Sequence, residues 1–323
     1  MRAVIVEQPG GPEALTVVER DAPQPGPGEV RVDLAAGGVN FIDIYQRSGA
    51  YRVPTPFVAG NEGAGTVSAV GEDVLDVVPG DRVAWAMTPG TGYAEQALVP
   101  AARLVPVPDG VDLETAAAAM LQGMTAHYLV NSTFEAREGQ TAVVTAAAGG
   151  VGLLLCQMLR EKGVRVIGTV GNAEKAELAR AHGAAETVLY REVDLATEVG
   201  RLTDGQGVHV VYDGVGRDTF DAGLSVLRPR GMMVLFGAAS GPVPPVDPQV
   251  LNSAGSLYLT RPSLAHYAAE REELLWRGRE VLGAVADGRL QIRVGGRYPL
   301  AEARRAHEDL EGGRTTGKLI LVP

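Results

Sequence analysis

The sequence predicts an α/β protein in two parts, a β-rich domain and a doubly wound parallel sheet. Three observations lead there. A strand–turn–helix–strand unit with a small-residue turn lies near the middle of the chain, alternating strand and helix patterns follow it, and strand patterns punctuated by Pro and Gly precede it.

The central unit runs from Thr141 to Val170. Ala142, Val143 and Val144 form an apolar strand-like run, and Leu153, Leu154, Cys156, Gln157 and Leu159 follow a helical pattern. Lys162-Gly163 then turns the chain into the β-branched run Val164 to Ile167. Between strand and helix lies Ala147-Ala148-Gly149-Gly150-Val151-Gly152, a dinucleotide fingerprint with alanine in its first place. In such a turn Gly149 lets the backbone approach a pyrophosphate, Gly152 lets the helix pack closely on the strand, and the helix N-terminus offers free N–H groups.

Beyond this unit the pattern predicts a helix near Ala173 to His182, a strand at Thr187 to Tyr190 and a helix near Leu195 to Leu202. A strand at Val208 to Tyr212, a helix near Thr219 to Leu227, and strands at Met232 to Phe236 and Ser256 to Leu259 complete it. Six strands with interleaved helices match the two mononucleotide-binding halves of a Rossmann domain. Ahead of the unit, Val30, Val32 and Leu34 alternate with Arg31 and Asp33, and Thr66 to Val70 and Arg82 to Ala86 are strand-like. An irregular, barrel-like domain is expected there. The tail carries a long helix around Glu272 to Trp276, a short strand, a charged helix at Ala301 to Leu310 and a strand at Lys318 to Val322. A tail with its own strands is expected to rejoin the first domain. The expected domains are therefore 1–122 with 261–323, and 123–260, with the site in the cleft between them.

The 323 residues leave room for two domains with large cores. A formal charge of −10 and the lack of a basic stripe argue against a nucleic-acid surface. Cys156, the only cysteine, has no intrachain disulfide partner and fits a reducing compartment. With neither a leader-like segment nor an apolar stretch long enough to span a bilayer, the protein is expected in the cytoplasm.

A Rossmann unit that binds NAD places an acidic residue near the end of its second strand, on the ribose 2′-hydroxyl. That place falls in Thr169-Val170-Gly171-Asn172, where there is no acid. Room is left beside Gly171 for a 2′-phosphate, and Lys175 and Tyr190 are placed to bind it by charge and hydrogen bond. NADP(H) is the expected cofactor. By position alone, Lys175 reads equally as a solvated helix residue.

Asn40-Phe41-Ile42-Asp43, the turn AAAGGVGL, and the stretches GTVGNAEK, YDGVGRDTF and GSLYLTRPSL together resemble the medium-chain dehydrogenase/reductase superfamily. Within it the chain is similar to the NADPH:quinone oxidoreductases, the group that includes zeta-crystallin, over essentially its whole length. The resemblance implies a GroES-like first domain. Zinc members of the superfamily carry a cysteine after Gly-Val, a histidine in Gly-His-Glu and a further cysteine before the cofactor domain. Here those places hold Asn40, Asn61 and Leu121, and the five histidines are scattered without ligand spacing. The sequence reads as metal-free. Without a Lewis acid a simple ketone is a poor acceptor, whereas a quinone or conjugated enone delocalises the charge that arrives with a hydride.

The resemblance places Asn40, Asp43, Tyr45 and Tyr51 around the nicotinamide and the acceptor, as the catalytic candidates. Asn40 and Tyr45 can donate hydrogen bonds, Asp43 reads as an orienter, and Tyr51 stands where related metal-free enoyl reductases carry a tyrosine proposed as proton donor. Carried over with the cofactor are Thr125 at the nicotinamide end, Phe236 and Gly237 along the ring pocket, and Ser240 as an added hydrogen bond. Gly216 and Arg217 border the cofactor in the turn after the fourth strand, Asp213 borders it or caps a loop, and Arg314 reaches toward the adenine ribose or phosphates or stands as a solvated loop charge.

The expected function is quinone reduction by NADPH, with reduction of activated C=C bonds in enals or enones as the alternative. A non-catalytic RNA-binding or structural role resembling those of zeta-crystallin fits the acidic charge poorly. The apolar segment Ser256 to Thr260 would form an exposed sheet edge, and the resemblance implies a homodimer that covers it.

Overall fold

Short β-branched runs separated by Pro and Gly turns build the first part of the chain. In the computed structural model, which describes residues 1–323, they are β1 (Arg2–Val6), β2 (Leu15–Glu19), β3 (Glu29–Val39), β4 (Phe57–Val58), β5 (Gly63–Val70), β6 (Arg82–Trp85), β7 (Gln96–Pro100) and β8 (Val105–Pro106). Helix α1 (Phe41–Arg47) follows β3, and α2 (Leu113–Tyr128) follows β8. Next come β9 (Thr141–Val144), α3 (Gly150–Glu161), β10 (Arg165–Val170), α4 (Ala173–Ala181), β11 (Glu186–Leu189) and α5 (Leu195–Leu202). They are followed by β12 (Val208–Asp213), α6 (Phe220–Ser225), β13 (Leu227–Leu235), α7 (Pro248–Ser253) and β14 (Tyr258–Thr260). The chain closes with α8 (Leu264–Tyr267), α9 (Arg271–Ala286), β15 (Val294–Pro299), α10 (Ala303–Glu311) and β16 (Lys318–Val322).

These elements gather into two units, Met1–Met124 with Tyr267–Pro323, and Thr125–His266. The first is the GroES-like unit. It contains a three-stranded sheet, β2-β1-β4, and a larger one in the order β15-β16-β3-β5-β6-β8, with β7 also on β3. The eleven-residue β3 is its spine: Val30, Val32 and Leu34 turn inward onto Val67, Val83, Trp85 and Val99. From the tail, β16 runs antiparallel to β3, pairing Leu319 with Val39 and Leu321 with Gly37.

The second unit is a Rossmann-type sheet in the order β11-β10-β9-β12-β13-β14, every neighbouring pair parallel. Numbered from β9 the order is 3-2-1-4-5-6, so the direction of winding reverses between β9 and β12, where such sheets bind nucleotides. Valines of β9 and β12 pack against Phe220, Leu224 and Met233 in one core. No helix is long and apolar enough to cross a membrane.

Several elements differ from the sequence expectation. Helix α1 had no counterpart in the sequence expectation; it forms because Asn40 leaves β3 in an extended conformation and Asp43 accepts its backbone N–H at 2.8 Å, a helix start. Helix α2 was hidden by its composition: Ala116 to Met120 are buried on every side, so no apolar stripe marks them. The edge strand is confined to Tyr258–Thr260, since Ser256 is left-handed at φ 57° and cannot extend a strand. Strand β13 starts at Leu227 rather than Met232, with left-handed Arg230 bending it.

The left-handed residue of the small-residue turn is Ala146 (φ 48°), not one of its glycines. Ala147 fits the fingerprint's first place because Gly168 of β10 lies against it; a Cβ on Gly168 would sit 2.7 Å from Ala147 Cβ. Gly152 is required by packing, since a Cβ there would fall 2.3 Å from the Ala146 carbonyl oxygen. Gly152→Ala is therefore expected to destabilise the protein by about 1–3 kcal/mol, as overpacking against rigid backbone does. Urea unfolding checks this, and an unchanged midpoint would show that the turn has space to spare.

Candidate active site

In the GroES-like unit the start of α1 is the centre of a buried polar network. Pairing of β16 with β3 brings Lys318 beside Asn40, where its ammonium donates to Asn40 Oδ1 at 2.6 Å and to Glu62 Oε2. Lys318 and Glu62 form an ion pair with side chains 1% and 0% exposed. The Asn40 amide donates to Glu62 Oε2 at 2.8 Å and to the Gly38 carbonyl at 3.3 Å, while the other Glu62 oxygen accepts the Leu121 N–H of α2. A buried pair holds its charges only when such bonds complete it, and removing one partner costs about 3–5 kcal/mol.

The network continues through Asp43. Its Oδ1 accepts from Asn61 Nδ2 at 2.6 Å, and its Oδ2 accepts from the Asn40 N–H and, at 3.1 Å, from the Tyr93 hydroxyl. Tyr93 meets His307 Nε2 at 2.9 Å, and His307 Nδ1 lies 3.1 Å from Arg47 Nη1. Arg47 is buried and paired in two places with Glu311, at 2.8 and 3.0 Å. Burial pushes the Asp43 carboxyl up to about 6, although its bonds from Asn61 and Asn40 and the Lys318 charge pull the other way. Burial, helped by the Arg47 charge, lowers His307 to about 3. Tyr93 is held well above the usual tyrosine range by burial and then by Asp43.

Asn40 and Asp43 are thus internal, with their polar atoms bonded within the protein. Tyr45 and Tyr51 sit further out: the rings lie 5.2 Å apart at 54°, Tyr51 N–H donates to the Tyr45 carbonyl at 2.9 Å, and Tyr51 is 44% exposed. At the three places of the zinc ligands stand two amides already hydrogen-bonded and a leucine that offers only its backbone N–H. No group of three or more His, Cys, Asp or Glu is gathered that could hold a metal ion. Arg314 is a surface residue whose guanidinium holds Asp309 at 2.9 Å and the Glu308 carbonyl at 3.2 Å.

In the Rossmann-type unit, α3 begins at Gly150 with Gly149 as its extended cap, leaving the first N–H groups, on Gly150, Val151 and Gly152, without intrahelical acceptors. At the end of β10, Gly171 faces the Tyr190 hydroxyl and the Arg191 guanidinium, 3.3 and 3.8 Å from where a Cβ would stand. Arg191 stacks on the Tyr190 ring at 5.8 Å, and burial and then the Arg191 charge lower the Lys175 ammonium's pKa. Tyr190 and Arg191 therefore flank Gly171, and the Lys175 ammonium lies near enough to feel the Arg191 charge, which makes this a cationic corner. Arg191 escaped the sequence reading, although it adjoins Tyr190 and carries the charge type a phosphate site needs.

At the switch point, Asp213 ends β12 fully buried, accepting from Thr145 and Thr219 hydroxyls at 2.8 Å and from the Val215 N–H at 2.9 Å. It ties the end of β9 to the turn after β12. Beside that turn the Phe236 ring covers Gly214, Gly237 lies against the Gly214 carbonyl, and Gly216 is left-handed at φ 90°. Ser240 Oγ donates to the Val215 carbonyl at 2.9 Å and accepts the Asp218 N–H at 3.0 Å, which fixes the same turn. Arg217 is exposed and paired with Asp218, and Thr125 is buried within α2.

A GroES-like unit with a buried polar centre, joined in one chain to a Rossmann-type unit, defines the medium-chain dehydrogenase/reductase architecture. Residues 26–109 match the alcohol dehydrogenase GroES-like domain family, and residues 150–272 match the zinc-binding dehydrogenase family. The chain is 48% identical to a quinone oxidoreductase of Pseudomonas aeruginosa, over 97% of both chains. It superposes on the structure of Escherichia coli quinone oxidoreductase complexed with NADPH with a TM-score of 0.98, at 42% identity and full coverage of both chains. It is also 40% identical to a 2-haloacrylate reductase of a Burkholderia species, over 99% of this chain and 98% of that one. The chain belongs to the quinone oxidoreductase family of the medium-chain dehydrogenases/reductases.

The buried imidazole gives a prediction for acid stability. His307 binds fewer protons folded than unfolded between its lowered value of about 3 and the ordinary 6.5, so its contribution is present above 6.5 and is lost as pH falls through that window. Asp43, raised to about 6, acts in the opposite sense between 3.8 and 6, over a narrower span. Between pH 6 and 4 the two contributions oppose each other and nearly cancel, so the stability of the parent protein from urea titrations should change little there, whereas His307→Gln, which leaves the Asp43 contribution unopposed, should gain stability relative to its value at pH 7 as pH falls toward 4. The same flat profile in the variant as in the parent would contradict this.

Proposed function

We propose that the chain is an NADPH-dependent quinone oxidoreductase that works without a metal. The observation that carries the reading is the buried network in which Asn40, Asn61 and Leu121 stand at the zinc-ligand places, beside a Rossmann-type unit with a cationic corner where NAD enzymes carry an acid. The NADPH complex of the Escherichia coli relative supports the cofactor. Bound NADPH supplies the hydride.

The division of labour we propose gives residues 125–266 to the cofactor and the rest of the chain to the acceptor. The turn Ala147 to Gly152 receives the pyrophosphate on its open N–H groups. Lys175, Tyr190 and Arg191 bind the 2′-phosphate above Gly171, an anion that relieves two adjacent cations of their mutual repulsion. Thr125, Gly216, Phe236, Gly237 and Ser240 frame the nicotinamide end. Arg314 could join the ribose phosphates only by leaving Asp309. Asn40, Asp43, Tyr45 and Tyr51 organise the acceptor, with the two tyrosines nearest to solvent. The lone cysteine, buried and unpaired, supports a reducing, cytoplasmic setting.

The 2-haloacrylate reductase relative favours one second reading, reduction of an activated C=C bond, for which Tyr51 is the candidate acid. A panel of 9,10-phenanthrenequinone, a 2-alkenal, 2-chloroacrylate and a simple ketone separates the two. Quinone turnover exceeding that of every alkene supports the main reading; turnover of the alkenes alone, abolished by Tyr51→Phe, supports the second.

For the cofactor, Lys175→Ala and Arg191→Ala are each expected to weaken NADPH by roughly tenfold or more while leaving NADH nearly unchanged, as loss of a charged contact to phosphate would. Equal losses for both nucleotides, measured by fluorescence titration, would refute the phosphate role.

The oligomer we propose is a dimer paired along β14, which lies at the edge of its sheet with Tyr258 58% exposed. Light scattering should give twice the chain mass, and Tyr258→Lys should shift it toward monomer. A monomer of the unmodified protein at micromolar concentration would overturn the pairing.

A further inference from the structure

The hydrogen bonds around Asp43 have a direction. Arg47 can only donate, so His307 Nδ1 must be the bare nitrogen and Nε2 must carry the proton. Nε2–H then donates to the Tyr93 oxygen, and Tyr93 gives its own proton to Asp43 Oδ2. With the Asn40 N–H on Oδ2 as well, Asp43 is held as an acceptor at both oxygens. Every donor in the chain from Arg47 points inward.

That polarity passes on through Asn61. Asp43 Oδ1 accepts from Asn61 Nδ2, which fixes the amide the other way round from its flipped form. The same Nδ2 donates to Gln46 Oε1 at 2.7 Å, and Asn61 Oδ1 accepts from Gln46 Nε2 at 3.3 Å. Gln46 is half-buried on α1, next to Tyr45, and the pairing leaves one Nε2–H of its amide unbonded. Asn40 and Asp43 have no such group to offer, since their side chains are engaged internally.

Building on the proposed reductase activity, we propose that Gln46 donates a hydrogen bond to the acceptor's carbonyl oxygen, and that Arg47, His307, Tyr93 and Asp43 are positioning residues that keep its amide in the donating orientation. As hydride arrives at the conjugated acceptor, negative charge develops on that oxygen, and a fixed N–H stabilises it more than the neutral ground state. Protonation of Asp43 at Oδ1, the oxygen that accepts from Asn61, turns that acceptor into a donor, and the Asn61 and Gln46 amides then reverse together and present Gln46 Oε1 instead. The charged and titratable groups around Asp43 are Tyr93, His307 and Arg47 on one side and Lys318 and Glu62 on the other.

Two variants test this on the full-length protein. Gln46→Met keeps the shape and removes the donor; it should lower kcat/KM for the acceptor roughly tenfold to a hundredfold, with the NADPH dissociation constant unchanged. The same variant should bind 9,10-phenanthrenequinone to the NADP+ complex at least several-fold more weakly in a calorimetric titration, a readout that needs no turnover. Unchanged kcat/KM and unchanged quinone affinity would overturn the role of Gln46. Tyr93→Phe removes one donor from Asp43, so the acid limb of kcat/KM, expected near pH 6 in the parent protein, should move to higher pH. A limb that stays in place in folded Tyr93→Phe would overturn the relay. If the parent protein turns over neither quinone nor alkene, the proposed activity fails, and the binding titration still decides the role of Gln46.

Discussion

The contact on which the first unit depends is the buried ion pair between Lys318 and Glu62. Two opposite charges out of water are tolerated only with close geometry and further hydrogen bonds around them. Here Asn40 and the Leu121 backbone supply further hydrogen bonds to the pair, so one interaction ties together β3, the approach to β5, helix α2 and the last strand of the chain. It also explains why the tail has to return to β3. Without β16 there would be no cation to oppose Glu62, and the start of α1 would lose its support.

From that pair the polar order spreads outward along α1. Asp43 is both a helix-start acceptor and the meeting point of Asn61 and Tyr93, so the helix carrying Tyr45, Gln46 and the approach to Tyr51 is anchored at its first turn. Catalysis by preorganised dipoles needs such anchoring, because a donor that must reorient during the reaction forfeits much of its effect. The Rossmann-type unit uses the same economy of parts: Asp213 fixes one turn at the switch point, and Gly152 fixes the other.

Much of this was legible in the sequence because local chemistry marks it. The glycine turn stands between a strand pattern and a helix pattern, the alternation in β3 is regular, and the missing acid after β10 can be read by counting. What stayed hidden depends on contacts distant in sequence. His307 lies 214 residues from Tyr93, and Lys318 lies 256 residues from Glu62, so neither partnership leaves a local trace. Helix α2 was obscured because burial on all sides erases periodicity, and α1 because its signal is a single capping pair. Arg191 carries no local mark beside Lys175 and Tyr190, and only the fold shows that it flanks Gly171 with Tyr190 and that its charge reaches Lys175.

In the proposed mechanism, hydrogen-bonded amides and a buried ion pair organise the acceptor's side of the chemistry in place of a metal. The most direct test is NADPH-dependent reduction of 9,10-phenanthrenequinone before and after exhaustive chelation, with metal content measured on the same samples. Far less than one metal ion per chain and an unchanged rate are expected. Loss of activity on chelation, restored by stoichiometric zinc, would contradict that mechanism.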